Sequence, residues 1–148
     1  MSTFISTIIK QVIENKEVNG KTLLMYLIDY KMEKEALYIL KNKNIDYNEI
    51  DYFGFSILYH SILAKMNKLS LELLKKEDIY YNFIDPFGDT ILMLSIKVNM
   101  KEIALELLKK KDINYNLKDN FGYTILMYSI SENMKKTTLK LLKKKDRF

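Results

Sequence analysis

Residues 85–116, DPFGDTILMLSIKVNMKEIALELLKKKDINYN, decide the fold, because the same text returns on both sides of them. Residues 51–82 read DYFGFSILYHSILAKMNKLSLELLKKEDIYYN, and residues 119–146 read DNFGYTILMYSISENMKKTTLKLLKKKD. Gly20, Gly54, Gly88 and Gly122 lie at one fixed spacing of 34 residues. Self-similarity at a period of about 20–50 residues marks a chain built from repeated supersecondary units. One such unit buries too little apolar surface alone, so its neighbours complete its core.

Within the quoted stretch, Ile91, Leu92, Leu94 and Ile96 form one apolar cluster. Ile103, Ala104, Leu107 and Leu108 form a second, at the spacing of one helical face. Residues 97–101 between them suffice only for a tight turn. The Asp119-Asn120-Phe121-Gly122 group is a turn signal, since Asp and Asn bond nearby backbone and Gly accepts positive φ. The predicted unit is helix, turn, helix, then an extended finger with a β-turn. Each helix has only about three turns and is marginal in isolation.

On these residues the chain resembles the ankyrin-repeat family, whose pattern is D-x-x-G-x-T-P-L-H, two short helices, then L-L-x-x-G-A-D-V-N. The Asp/Gly pair is Asp51/Gly54, Asp85/Gly88 and Asp119/Gly122. The Thr is Thr22, Thr90 and Thr124, with Ser56 in the second unit, and the Leu is Leu24, Leu58, Leu92 and Leu126. The paired Leu is Leu73-Leu74, Leu107-Leu108 and Leu141-Leu142, and the finger Asn is Asn48, Asn82 and Asn116. Leu23, Ile57, Ile91 and Ile125 replace the family's Pro, and Met25, Tyr59, Met93 and Met127 replace its His. The resemblance implies an all-α, ankyrin-like solenoid with short β-hairpin finger loops. It also implies a non-enzymatic module that binds a partner protein.

Composition agrees with one domain over residues 1–148, 48% hydrophobic and 29% charged, expected to be monomeric. Repeats are expected at about 20–50, 51–84, 85–118 and 119–148. Residues 1–19 carry Ile8-Ile9 and Val12-Ile13 and are read as an N-terminal cap helix. The last repeat is read as a C-terminal cap, because Thr137-Thr138 stand where the third unit has Ile103-Ala104. No apolar run approaches the length of a membrane span. The N-terminus lacks the features of a secretory signal, so an intracellular, cytoplasmic setting is expected, with export by a route that needs no such signal left open.

Chemistry is expected to be absent. There is no Cys, which excludes disulfides, thiol catalysis and Cys-based zinc sites. His60 is the only His, so multi-His metal sites are excluded too, and no cofactor is expected. His60 is read as a packed side chain. Met32, Met66, Met100 and Met134 recur at one position and are read as packing between helices, and Tyr47, Tyr81 and Tyr115 as structural.

By position in the family, finger tips and the exposed face of the first helix would contact the partner. That names Tyr30, Tyr52, Phe55, Leu63, Phe87, Asp89, Lys97, Asn120 and Tyr123, in a concave surface centred on Phe55, Leu63, Phe87 and Tyr123. Phe55 and Tyr123 vary between repeats (Lys21 and Asp89 elsewhere), which favours binding. Phe53, Phe87 and Phe121 recur in every finger, which favours packing of finger on finger.

Charge supplies an alternative. The net charge is +5, and lysines end each second helix: Lys75 and Lys76, Lys109, Lys110 and Lys111, Lys143 and Lys144. Such a ridge could meet an acidic protein or a nucleic acid. Against this, cations are favoured at helix C-termini in any case. Arg147 is the only arginine, whereas base readers rely on bidentate Arg.

Overall fold

The computed structural model describes residues 20–145 together with residues 3, 6, 7 and 10. The apolar residues on which the N-terminal cap helix was read, Ile8, Ile9, Val12 and Ile13, lie outside the described residues. Eight helices are described, and no strand longer than a single bridge. They are α1 (Leu23–Asp29), α2 (Glu33–Asn42), α3 (Ile57–Leu63), α4 (Asn67–Leu74), α5 (Ile91–Lys97), α6 (Lys101–Leu107), α7 (Ile125–Ser131) and α8 (Lys135–Lys145). The fold class is the all-α, ankyrin-like one that the sequence implies.

Each first helix starts in the same way. The side chains of Thr22, Ser56, Thr90 and Thr124 accept hydrogen bonds from the N–H groups of Met25, Tyr59, Met93 and Met127, at 3.3, 3.1, 3.1 and 3.3 Å. These caps satisfy donors that a seven-residue helix would otherwise leave unpaired. Each first helix also ends in the same way. Lys31, Lys65, Asn99 and Asn133 have φ of 60, 57, 62 and 52°. The next residue, always Met, donates its N–H back across the last turn, as Met66 does to Ser61 O at 2.9 Å and Met100 to Ser95 O at 2.8 Å. This is a Schellman closure, and its apolar partner is that methionine. Met66, Met100 and Met134 are buried, in agreement with the packing role read for them.

The described chain divides into two compact units, between Leu73 and Leu74. In the first unit, α1 packs on α2 and on α3. Leu24, Met25, Ile28, Ile57, Leu58 and Ile62 fill its core with almost no exposure. Glu33 accepts the N–H of Leu69 at 3.1 Å, so one repeat caps the second helix of the next. In the second unit, α5 packs on α6 and α7, and α8 packs on α6 and α7. Ile91, Leu92, Ile103, Leu107, Ile125 and Leu141 form that core.

Candidate protein-binding face

The fingers are rigid because one aspartate organises each. One carboxylate oxygen of Asp51 accepts the N–H groups of Phe53 and Phe55, both at 3.0 Å. Asp85 does the same for Phe87 and Asp89, and Asp119 for Phe121 and Tyr123, all at 2.9 Å. The glycine N–H donates to the aspartate carbonyl at 3.0 Å in all three fingers. A single antiparallel bridge then closes each base: Ile50 to Ser56, Ile84 to Thr90, Lys118 to Thr124. The side chains at the tip project from a turn whose backbone is already hydrogen-bonded.

In two of the three fingers the second oxygen of the aspartate meets the residue nine positions on. His60 Nε2 lies 2.9 Å from Asp51 Oδ2, and the Tyr128 hydroxyl donates to Asp119 Oδ2. His60 is buried, as read, with Nε2 on the finger aspartate and Nδ1 3.9 Å from Asp29 Oδ1.

In the second unit two fingers are tied together. Asn120 donates its backbone N–H to Phe87 O at 3.2 Å and its side-chain amide to Pro86 O at 3.2 Å. Gly88 permits this approach, since a Cβ there would lie 2.8 Å from Asn120 N. Asn120 was read as a partner contact, and the structure gives its side chain a job inside the finger pair. The packing read for Phe53, Phe87 and Phe121 is overturned: they are 65, 56 and 76% exposed. Each N–H donates to the aspartate of its own finger, the Phe87 carbonyl also accepts Asn120 N–H, and the rings are exposed. Tyr30, Tyr52, Leu63 and Tyr123 are exposed as well, while Phe55 is half-buried, stacked on Tyr59 with ring centroids 4.5 Å apart.

Asp89, read as a finger contact, and Lys97, read on the exposed face of a first helix, differ most from those readings. Asp89 is buried, and Lys97 Nζ grips it at 2.6 and 2.7 Å. The same ammonium lies 3.7 Å from Asp119 Oδ2 and 4.4 Å over the Tyr128 ring. Burial pushes the Asp89 carboxyl up, Lys97 counters, and Asp85 and Asp119 add to the rise. Burial also opposes ionisation of Asp119. There the Tyr128 hydroxyl, the N–H groups of Tyr123 and Phe121, and Lys97 win, and its carboxyl sits below the usual range. Lys97 is held above its ordinary value: desolvation works against it, and the bonds to Asp89 and Tyr128 outweigh that.

The first unit has a counterpart of opposite sign, Lys21 donating to Asp29. Lys21 and Asp89 follow a finger glycine, and Asp29 and Lys97 end a first helix. In the other two repeats these two positions hold Phe55 with Leu63, and Tyr123 with Ser131.

The lysines at the ends of the second helices are partly committed. Lys110 donates to Leu74 O at 2.6 Å and sits 5.5 Å over the Tyr81 ring, and Lys144 lies 5.4 Å over Tyr115. Lys109 pairs with Glu106, while Lys75, Lys111 and Lys143 are exposed and Lys76 is half-buried. Tyr81 also donates to Asp112, in keeping with the structural role read for the finger tyrosines. The recurrence of both Tyr and Lys at the repeat period was the available signal for these ring–cation pairs. Among the described residues, no group of three or more His, Asp or Glu could hold a metal ion, and no helix is long and apolar enough to cross a membrane.

Capped helix pairs joined by hydrogen-bonded fingers define a repeat-protein interaction scaffold. The profile of the family described as Ankyrin repeats (3 copies) matches residues 62–147, more than half of the chain, and the chain belongs to the ankyrin-repeat family. Ankyrin repeats are generally protein–protein interaction modules. No curated protein matches the chain.

Proposed function

We propose that the protein binds a partner protein through its finger tips, without catalysing a reaction. The supporting observation is the exposure of Phe87, Phe121 and Tyr123 on two fingers that are hydrogen-bonded to each other. Exposed aromatic side chains on a soluble scaffold cost solubility and are enriched among interface hot spots. Each of these rings stands on a backbone fixed by a buried carboxylate, so little freedom is lost on docking. Tyr52 and Phe53 offer the same chemistry on the finger of the first unit.

The test is retention of binding partners from the native host by wild type and by the Phe87→Ala/Phe121→Ala/Tyr123→Ala variant, at about 50 mM and about 300 mM salt. Retention by wild type alone, at both salts, supports the finger site. Retention that ignores the triple substitution and disappears at high salt would move the site to Lys75, Lys109, Lys111 and Lys143.

A further inference from the structure

The α7–α8 pair exposes a face that its predecessor hides. Met93, Ile96 and Leu108 on α5 and just beyond α6 are 1, 0 and 2% exposed, in the unit where α7 and α8 pack on α5 and α6. One repeat later the corresponding residues are Met127, Ile130 and Leu142, and they are 51, 61 and 42% exposed. Leu139 is exposed beside them, and Ile130 and Leu139 border an open depression with Ser129 and Thr138. The polar character read for this repeat points the other way. Thr137 is buried, and the Thr138 hydroxyl lies 2.9 Å from Ser129 Oγ and 3.0 Å from Met134 O, so Thr138 serves the α7–α8 contact and Thr137 is withdrawn from solvent. What faces outward is apolar and already has the relief that accepts helices one repeat earlier.

The rim of this face is basic. Helix α8 is KKTTLKLLKKK, with Lys135, Lys136, Lys140, Lys143, Lys144 and Lys145 and no acidic residue. Lys136, Lys140 and Lys143 flank Leu139 on its other side, along a groove shared with Leu105 of α6. Three acids lie at this edge, Glu132 after α7 and Glu102 and Glu106 of α6 in that groove, and the lysines, with Lys109 among them, outnumber them. A second copy docked face to face would bring two such lysine rows together at a cost, since like charges oppose each other across an interface. We infer that the α7–α8 face docks an acidic amphipathic helix of a partner protein. Its apolar stripe would cover Met127, Ile130, Leu139 and Leu142, and its carboxylates would meet the α8 lysines. This helix-on-face mode reads anchors at i, i+3, i+4 and i+7.

The test uses the whole chain with labelled Met, Ile and Leu methyl groups and a synthetic helix of about 18 residues, or about five turns. The probe carries Leu along one stripe and Glu elsewhere, and a control peptide replaces every Glu by Lys. The expected result is saturable shifts of the Met127, Ile130 and Leu139 methyls with the Glu peptide only, weakening as salt rises from about 50 to about 300 mM. Ile130→Ser/Leu139→Ser should weaken binding about tenfold or more, with an unchanged circular dichroism spectrum. Because the methyl shifts are read on wild type, the assignment stands apart from how that variant folds. Equal affinity for the Lys peptide, shifts centred on the fingers, or no saturation by about 1 mM peptide would each overturn the inference. So would a dimer of the free protein that Ile130→Ser dissociates, which would make a second copy the occupant.

Discussion

Removing the Lys97 ammonium should destabilise the unit that contains α5–α8 by about 2–3 kcal/mol at neutral pH, and acid should return much of that. Deleting one partner of a buried ion pair costs about 3–5 kcal/mol when the survivor is left dry and charged. The side chain of Asp89 is 10% exposed and that of Lys97 29%, so solvent screens part of the loss and brings it below that range, to about 2–3 kcal/mol. Lys97→Met keeps the aliphatic stem and deletes only the charge. The Asp89 carboxyl already lies above its ordinary value through burial, against the pull of Lys97, and without that pull it rises further. A carboxyl raised by folding takes up its proton more readily in the folded state, so the folded variant gains stability as pH falls through that raised value. Asp119 works the other way, since its depressed carboxyl contributes stability that is lost in acid. Lys97 is one cause of that depression, so less of it remains to be lost in the variant. The gap between wild type and variant should therefore shrink on acidification. Urea denaturation followed by circular dichroism at about pH 7 and about pH 4.5 measures it. A gap under about 0.5 kcal/mol, or one that is the same at both pH values, would refute the reasoning. Adding Asp89→Asn should rescue part of the loss, because the stranded charge is gone.

Three further outcomes follow from the geometry. Gly88→Ala should destabilise more than Gly122→Ala by about 1 kcal/mol or more, because both have positive φ but only Gly88 faces the backbone of Asn120, and paired denaturation curves report the difference. Lys65→Gly should raise stability by about 0.5–1 kcal/mol, since a lysine at φ 57° carries left-handed strain that glycine lacks, and a rise in urea midpoint would show it. Tyr128 is held above the usual tyrosine value by burial and by its bond to Asp119, so its contribution is full below that usual value and is lost as pH rises through the raised one. Tyr128→Phe should accordingly flatten the alkaline fall of stability while costing about 1–3 kcal/mol at neutral pH, where the buried Asp119 loses a donor.

The repeat, the finger turns and the core were legible because they depend on local chemistry written once per unit. Thr90 before Ile91, the leucine pairs and the aspartate-led finger each specify their own geometry within a few residues. The closure of the first helix was harder to see. Asn99 and Asn133 suit a left-handed residue, but Lys31 and Lys65 hold the same backbone and carry no such signature. The site was read less well, because exposure depends on what lies across space. Recurrence of Phe53, Phe87 and Phe121 looked like packing, yet the rings are exposed. Asp89 looked like a tip residue because nothing near it in sequence shows that Lys97 folds back to meet it. Thr137 and Thr138 looked like an outer polar face, whereas Thr137 is buried and Thr138 bonds to Ser129 of α7, and it is Ile130 and Leu139 that are exposed.

The pair of positions after each finger glycine and at the end of each first helix lends the turn backbone groups only, and apart from the reach of Lys97 to Asp119 its side chains lie outside the aspartate turn, the threonine cap and the methionine closure. Its four spellings here are Lys21 with Asp29, Phe55 with Leu63, Asp89 with Lys97, and Tyr123 with Ser131. The scaffold and this pair thus draw on separate letters of the same 34-residue word. The ion pair appears in both polarities on one backbone, Lys before Asp in the first unit and Asp before Lys in the second. Such a chain behaves as an editable text: one repeat can be respelled at two letters to present a different character, while the grammar that folds it is left untouched.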